Sequence, residues 1–178
     1  MNNEMIIIYG SCYGTTKKYA DRLSEILECK EVSYEDAVDI NDYQTIIYMG
    51  GLYAGGIQGM KKTLKKLNNI SNKRICIVTV GLADPTDKEN TDQIRAKMRT
   101  QVSEELYNKA MIFHLRGGID YSKLGFIHRK MMGMVYKKAL SVPVEERNAE
   151  LSAMIDTYDK QVDFVDLDSL EQIIQSLK

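Results

Sequence analysis

Proline occurs only twice in this chain, at Pro85 and Pro143, so no proline-rich linker divides it. The three cysteines, Cys12, Cys29 and Cys76, are odd in number and widely spaced. That spacing argues against a disulfide framework and against a cysteine zinc site. The two histidines, His114 and His128, have no companion ligands at metal-site spacing. No run of apolar residues approaches the roughly 18 needed to span a membrane. The first residues also lack the basic start and longer apolar stretch of a secretory signal. With cysteines suited to a reducing compartment, the expected location is the cytoplasm. Net charge is nearly absent too, at −1, but its distribution is strongly uneven. Residues 57–74 carry six bases and no acid, residues 115–140 six bases and one acid, and residues 145–178 nine acids and three bases.

What is present fits one globular domain. The 178 residues are enough for a sizeable core, and 44% hydrophobic with 28% charged residues is the composition of a folded chain. No internal repeat or low-complexity tract interrupts it, so residues 1–178 read as a single domain. Residues 5–9 (MIIIY), 45–49 (TIIYM), 74–80 (RICIVTV) and 110–115 (AMIFHL) are apolar runs rich in β-branched side chains. Such runs read as strands buried on both faces. Residues 31–34 add a short second strand. Between these lie helical patterns at 16–28, 58–67 and 91–107, and an amphipathic helix ends the chain.

Alternating strands and helices imply crossover connections, parallel strands and a helical layer on each face. The expected fold is therefore a three-layer, doubly wound α/β domain with a five-stranded parallel sheet. Sheets of this kind bind ligands beyond the carboxyl ends of their strands. The informative segments are consequently residues 10–16, 50–57, 81–90 and the stretch after Leu115.

The first of these loops is Gly10-Ser11-Cys12-Tyr13-Gly14-Thr15-Thr16. Small residues let backbone N–H groups turn inward, hydroxyls add donors, and a helix begins at once. That combination suits an anion, although an ordinary strand-to-helix turn with Thr15 or Thr16 as N-cap has the same composition. Several phosphate loops are excluded. The chain has no GxxxxGK[ST] string and no GxGxxG after the first strand. A cysteine phosphatase needs an arginine where Lys18 stands. A receiver domain needs an aspartate at the end of its third strand, where Gly50, Gly51 and Leu52 stand.

The remaining pattern resembles the flavodoxin family, in which [ST]-x-T-G-x-T follows the first strand. Ser11, Gly14 and Thr16 match, and Tyr13 stands where the family carries a small hydroxyl residue, leaving its backbone N–H to serve there. The resemblance implies sheet order 2-1-3-4-5, an FMN cofactor and a role in electron transfer. It places the FMN phosphate among Ser11, Cys12, Tyr13, Gly14, Thr15 and Thr16. It places the isoalloxazine ring between Leu52, Tyr53, Ala54 and Gly55 on one side and Gly81, Leu82, Ala83 and Asp84 on the other. Tyr53 is the stacking candidate, since the chain has no tryptophan of the kind many flavodoxins place near the ring. By the same resemblance, the Ala54-Gly55 or Gly55-Gly56 peptide turns its carbonyl toward N5 of the reduced flavin.

Within the family the chain looks closer to the branch containing the quinone-linked bacterial protoporphyrinogen oxidase than to acidic electron carriers. The 50–55 loop, the proline-containing 81–90 loop and the segment from Arg116 to Tyr121 carry that resemblance. It implies either a redox partner protein or a quinone- or porphyrinogen-type small molecule. A flavodoxin-fold domain that has lost FMN is the alternative that Tyr13 raises. Residues 118–160 form an insertion after the fifth strand. Its basic, Met-rich helix suits an anionic membrane surface through residues 124–138 or a flat apolar substrate. A surface helix packed on the domain with solvated bases gives the same pattern. The cluster Lys61, Lys62, Lys65 and Lys66 lacks interleaved aromatics, so an acidic partner or a solvated face is expected and nucleic acid is not.

Overall fold

The structure, a computed structural model, describes residues 2–36, 38–53 and 55–178. In chain order the strands are β1 (Asn2–Gly10), β2 (Cys29–Ser33), β3 (Thr45–Tyr53), β4 (Gly56–Ile57), β5 (Arg74–Gly81), β6 (Met111–Arg116), β7 (Gly118–Asp120) and β8 (Gln161–Asp163). The helices are α1 (Thr15–Leu27), α2 (Met60–Leu64), α3 (Lys88–Arg99), α4 (Glu104–Lys109), α5 (Phe126–Leu140), α6 (Ala149–Thr157) and α7 (Glu171–Leu177). The five long strands run parallel in the order β2-β1-β3-β5-β6. Counting those five alone, this is the expected 2-1-3-4-5 order.

The apolar runs form strands because both sheet faces are covered. Ile7 of β1 points into a core with Tyr19, Leu23, Ile47, Val78, Ile173 and Ile174, under α1 and α7. Its neighbours Ile6 and Ile8 point the other way, into a core with Tyr48, Ile77, Met60, Met98 and Leu106 under α2, α3 and α4. The buried Tyr19 ties α1 across the sheet edge. Its hydroxyl donates to the Arg116 carbonyl at 2.7 Å and accepts from the Asp166 N–H at 2.9 Å.

Three local expectations are corrected. Residues 50–53 are not loop: β3 continues to Tyr53, with Gly50 opposite Thr79 and Gly51 opposite Val80. Glycine is poor at forming strands on its own, but a Cβ on Gly50 would overlap Ile57, so the sheet needs its absence. The chain then turns at Gly55 (φ +80°) into β4, which pairs back on β3. The basic 58–67 helix shrinks to α2, starting after Gly59 with φ +74°. The 91–107 helix is two helices. α3 starts earlier, where Asp87 accepts from the Glu89 N–H at 2.9 Å, and α4 restarts where Ser103 accepts from the Leu106 N–H at 3.3 Å.

The insertion is tied at its base by an unforeseen ribbon, β7 antiparallel to β8. Inside it Tyr136 stacks on Tyr158 at 3.8 Å, and Tyr121 meets the same ring edge-on at 5.2 Å. α6 is joined to α3 by the ion pair Lys97–Glu150.

A Cβ on Gly10 would overlap the Gln58 carbonyl oxygen, a backbone atom that cannot step aside. Gly10→Ala is expected to lower the urea midpoint and cost about 3 kcal/mol of unfolding free energy. An unchanged midpoint would mean that the β1 edge and the 58–59 turn pack less closely than described.

Candidate functional site

At the carboxyl end of β1 the chain turns through residues 11–14 into α1. Gly14 adopts φ +86°, and Ser11 Oγ accepts from its N–H at 3.1 Å. No side chain caps α1, so the N–H groups of its first turn are available to an anion. Thr16 is buried beside Gly51, where a Cβ would lie 3.2 Å from Thr16 Oγ1. Thr15 is equally close to Gly117, whose Cβ would stand 3.0 Å from Thr15 Oγ1. The hydroxyl-bearing loop thus sits directly on bare strand ends. No charged residue occurs between Gly10 and Thr16, so the donors are neutral.

Two walls rise from this floor. One is the end of β3, with Leu52 and Tyr53; the other is the end of β5 and its loop, with Gly81, Leu82 and Ala83. The loop is pinned by Arg116, whose Nε donates to the Leu82 carbonyl at 3.1 Å and whose guanidinium lies 3.9 Å from the Phe164 ring centroid. Tyr13, Tyr53 and His128 form an edge-to-face trio with centroids 6.1 to 6.3 Å apart. The Tyr53 hydroxyl reaches Met131 Sδ at 3.3 Å, connecting the β3 wall to α5. The Tyr13 hydroxyl is buried without a hydrogen-bond partner among the described residues, and burial pushes its pKa well above the usual tyrosine value. Burial also pushes the Cys12 thiol up, which makes it a poor thiolate.

Loop and walls enclose one cavity of about 610 Å³. Ser11, Cys12, Tyr13, Thr15, Thr16, Leu52, Tyr53, Gly55, Gly81, Leu82 and Ala83 all line it. Gly14 is not in the lining; it is the left-handed pivot of the loop. Asp84 is also absent from the lining. Its carboxylate accepts from the Thr86 N–H at 2.8 Å and from Thr86 Oγ1 at 2.7 Å, so it shapes its own turn instead of facing the cavity. Those bonds hold the Asp84 carboxyl below its ordinary pKa. Ala54 lies outside the described residues.

The cavity runs on past the predicted set. Gln58 and the backbone of Gly117 and Gly118 join its floor, and Met131, Met132, Val135, Leu151 and Met154 extend it toward α5 and α6. Gln58 Oε1 is buried with no hydrogen-bond partner among the described residues. His114 also lines the cavity. Its Nδ1 pairs with Thr79 Oγ1 at 2.7 Å, while its Nε2 is buried with no hydrogen-bond partner among the described residues. One sequence clue to His114 existed, since it is a polar residue inside an apolar strand. The Met-rich pattern of residues 124–138 was the clue to Met131 and Met132, while Gln58 and Met154 had none. A smaller recess of about 290 Å³ shares Cys12, Tyr13 and Thr15 and is flanked by Lys18, Lys123 and His128. Among the described residues no group of three or more metal-type ligands gathers.

The family model described as Flavodoxin domain matches residues 6–141. The chain belongs to the flavodoxin domain family. The matched segment of this flavodoxin domain runs from β1 to the end of α5, so α6, β8 and α7 lie beyond it. Among solved structures, the domain is similar to a flavoprotein from Lactobacillus acidophilus NCFM in complex with FMN. Identity is 15% and the TM-score 0.42, over 64% of this chain and 93% of that one. A mutant flavodoxin from Pseudomonas aeruginosa is similar at 13% identity and TM-score 0.39, over 76% of this chain and 96% of that one. A search of curated proteins finds no match.

Burial, and secondarily the charge of Arg95, lowers the His114 pKa to about 4. The unfolded chain takes up this proton near the ordinary value of about 6.5. Between the two values the unfolded state binds more protons than the folded one, so His114 makes stability fall as pH falls. Above about pH 6.5 the contribution is constant. Urea unfolding from pH 7 to pH 4 is therefore expected to show a steeper acid loss in the parent protein than in His114→Gln, by up to about 1.4 kcal/mol per pH unit. Parallel curves would show that the imidazole is solvated.

Proposed function

We propose that this flavodoxin-domain protein binds FMN in the cavity at the carboxyl edge of its sheet and serves as a redox protein. The observation that carries the reading is that the uncharged loop from Ser11 to Thr16 and the side chains of Tyr53 and Leu82 line one cavity. The first-turn N–H groups of α1, with the hydroxyls of Ser11, Thr15 and Thr16, hold the phosphate. Leu52, Tyr53, Leu82 and Ala83 exclude water from the ring and orient it. The unpartnered Gln58 amide oxygen, buried on the cavity wall, offers an acceptor to an N–H of the bound molecule. Tyr13 fits this arrangement, because its ring packs against Tyr53 and His128 and its own backbone N–H belongs to the loop. Bound FMN supplies one- and two-electron chemistry, while the chain supplies binding, orientation and potential.

A second observation favours an activity on a small molecule over simple electron carriage. The cavity continues past the slot into the methionine-rich space under α5 and α6, which suits a flat apolar reactant such as a quinone or a porphyrinogen. A carrier that meets only protein partners needs no such space.

Purified protein is expected to absorb near 450 nm (an approximate flavin property), or the apoprotein to take up FMN at micromolar excess. Ser11→Ala and Tyr53→Ala should each weaken FMN binding by about tenfold, through loss of a hydroxyl contact and of ring stacking. Failure of the parent protein to bind FMN at all would leave the domain a flavodoxin fold without its cofactor.

With FMN bound, anaerobic turnover of protoporphyrinogen with a quinone acceptor distinguishes the enzyme from the carrier. Met132→Glu is expected to abolish turnover and leave FMN content unchanged, since it places a charge in the apolar extension alone. Absence of turnover by fully loaded parent protein would favour the carrier.

A further inference from the structure

The helix that walls the cavity has a second apolar face, turned to solvent. α5 packs inward through Met132, Tyr136 and Ala139, of which Ala139 is fully buried. On the opposite side Phe126 is 83% exposed, Ile127 79% and Met134 60%. Successive residues advance about 100° around a helix. That advance interleaves these three side chains with Lys130, Lys137 and Lys138 on one outward stripe. The three lysines are exposed and enter no ion pair among the described residues. Residues 123–142 contain no acid. The remaining cations nearby are engaged: Arg129 donates to the Tyr121 carbonyl at 2.7 Å, and Lys123 pairs with Asp120 at 3.2 Å.

We infer that this outward face of α5 docks the protein on an anionic lipid surface, with Phe126, Ile127 and Met134 entering the interfacial region and Lys130, Lys137 and Lys138 meeting lipid phosphates and carboxylates. Charge complementarity selects the occupant, because a stripe with no acid has no cation-seeking element. Two adjacent bulky side chains standing clear at the start of a helix, with lysines one turn on, are the geometry of an interfacial helix. Among the described residues no helix is long and apolar enough to cross a membrane, so the contact is peripheral. Met131, Val135 and Lys138 of the same helix line the cavity. Docking through α5 therefore brings the cavity wall to the bilayer, where apolar reactants dissolve.

The full chain is sedimented with vesicles of phosphatidylcholine alone or with added phosphatidylserine. Binding is expected only to the anionic vesicles and to weaken as salt is raised. Phe126→Ser with Ile127→Ser, and separately Lys130→Glu with Lys137→Glu, should each reduce the partition coefficient by about tenfold or more. These positions are exposed, so the circular dichroism of both variants should match the parent. Because the chain has no tryptophan, Phe126→Trp adds a single reporter whose emission should shift to the blue on anionic vesicles. Lack of sedimentation with anionic vesicles would overturn the inference, and so would binding that neither double variant weakens. Bound protein with unshifted Phe126→Trp emission would also overturn it, since the face would then lie outside the bilayer. A blue shift equal to that on vesicles when soluble polyglutamate is added would assign the face to an acidic protein instead. Flavin content, read separately by absorbance, does not enter these outcomes.

Discussion

Close approach of backbone to its neighbours along the carboxyl edge of the sheet is the constraint on which the cavity rests. β1, β3 and β5 all end on glycine or run through it there. Gly10 lies opposite Gly50, Gly51 opposite Val80, and Gly81 opposite Arg116, followed by Gly117. A Cβ at Gly81 would stand 2.7 Å from Leu52 Cδ1, and one at Gly117 would stand 2.8 Å from Val80 Cγ1. Strand ends without side chains let the loop of Ser11 to Thr16 lie flat on the sheet, and they leave the space above it free for a ligand. The same bareness lets Tyr48 bond the Gln58 carbonyl across the edge, which fixes the turn that carries Gln58.

α5 joins two properties that a globular core normally keeps apart. Its inner side is a cavity wall held by Met131 against the Tyr53 hydroxyl, and its outer side carries unburied aromatic and aliphatic groups between lysines. A helix serving one hydrophobic face shows a clean stripe; here apolar residues occur nearly all round. The insertion stays ordered through its tyrosine stack and through the ribbon of β7 and β8, not through a large core of its own. The cavity extension is thus built by α5 and α6, and its methionines are adaptable in shape.

The long strands were legible because burial on both faces demands continuous apolar runs, and 5–9, 45–49 and 74–80 have them. The cavity-lining loop after β1 was legible because its residues are contiguous and sit between a strand and a helix. Gly50 and Gly51 misled, since their place in β3 is set by neighbours that leave no room for a Cβ, and a loop reading of glycine-rich sequence ignores neighbours. Nothing in the sequence position of Asp84 says that Thr86 engages its carboxylate. His114 could be noticed as a polar residue in a strand, but its free Nε2 depends on where Thr79 lies across the sheet.

From the order of residues alone came the alternation of strand and helix and a neutral loop fit for a phosphate, and the family resemblance that this loop carries implied the sheet order. These are local or pairwise matters of pattern, turn chemistry and handedness, and a linear code carries them well. Folding alone decided which distant side chains share the cavity: Gln58, His114, Met132 and Met154 are brought to one space from four separate elements. It also decided which side of α5 faces water. Packing is a many-body outcome of shape and volume, so no single stretch of this chain encodes it.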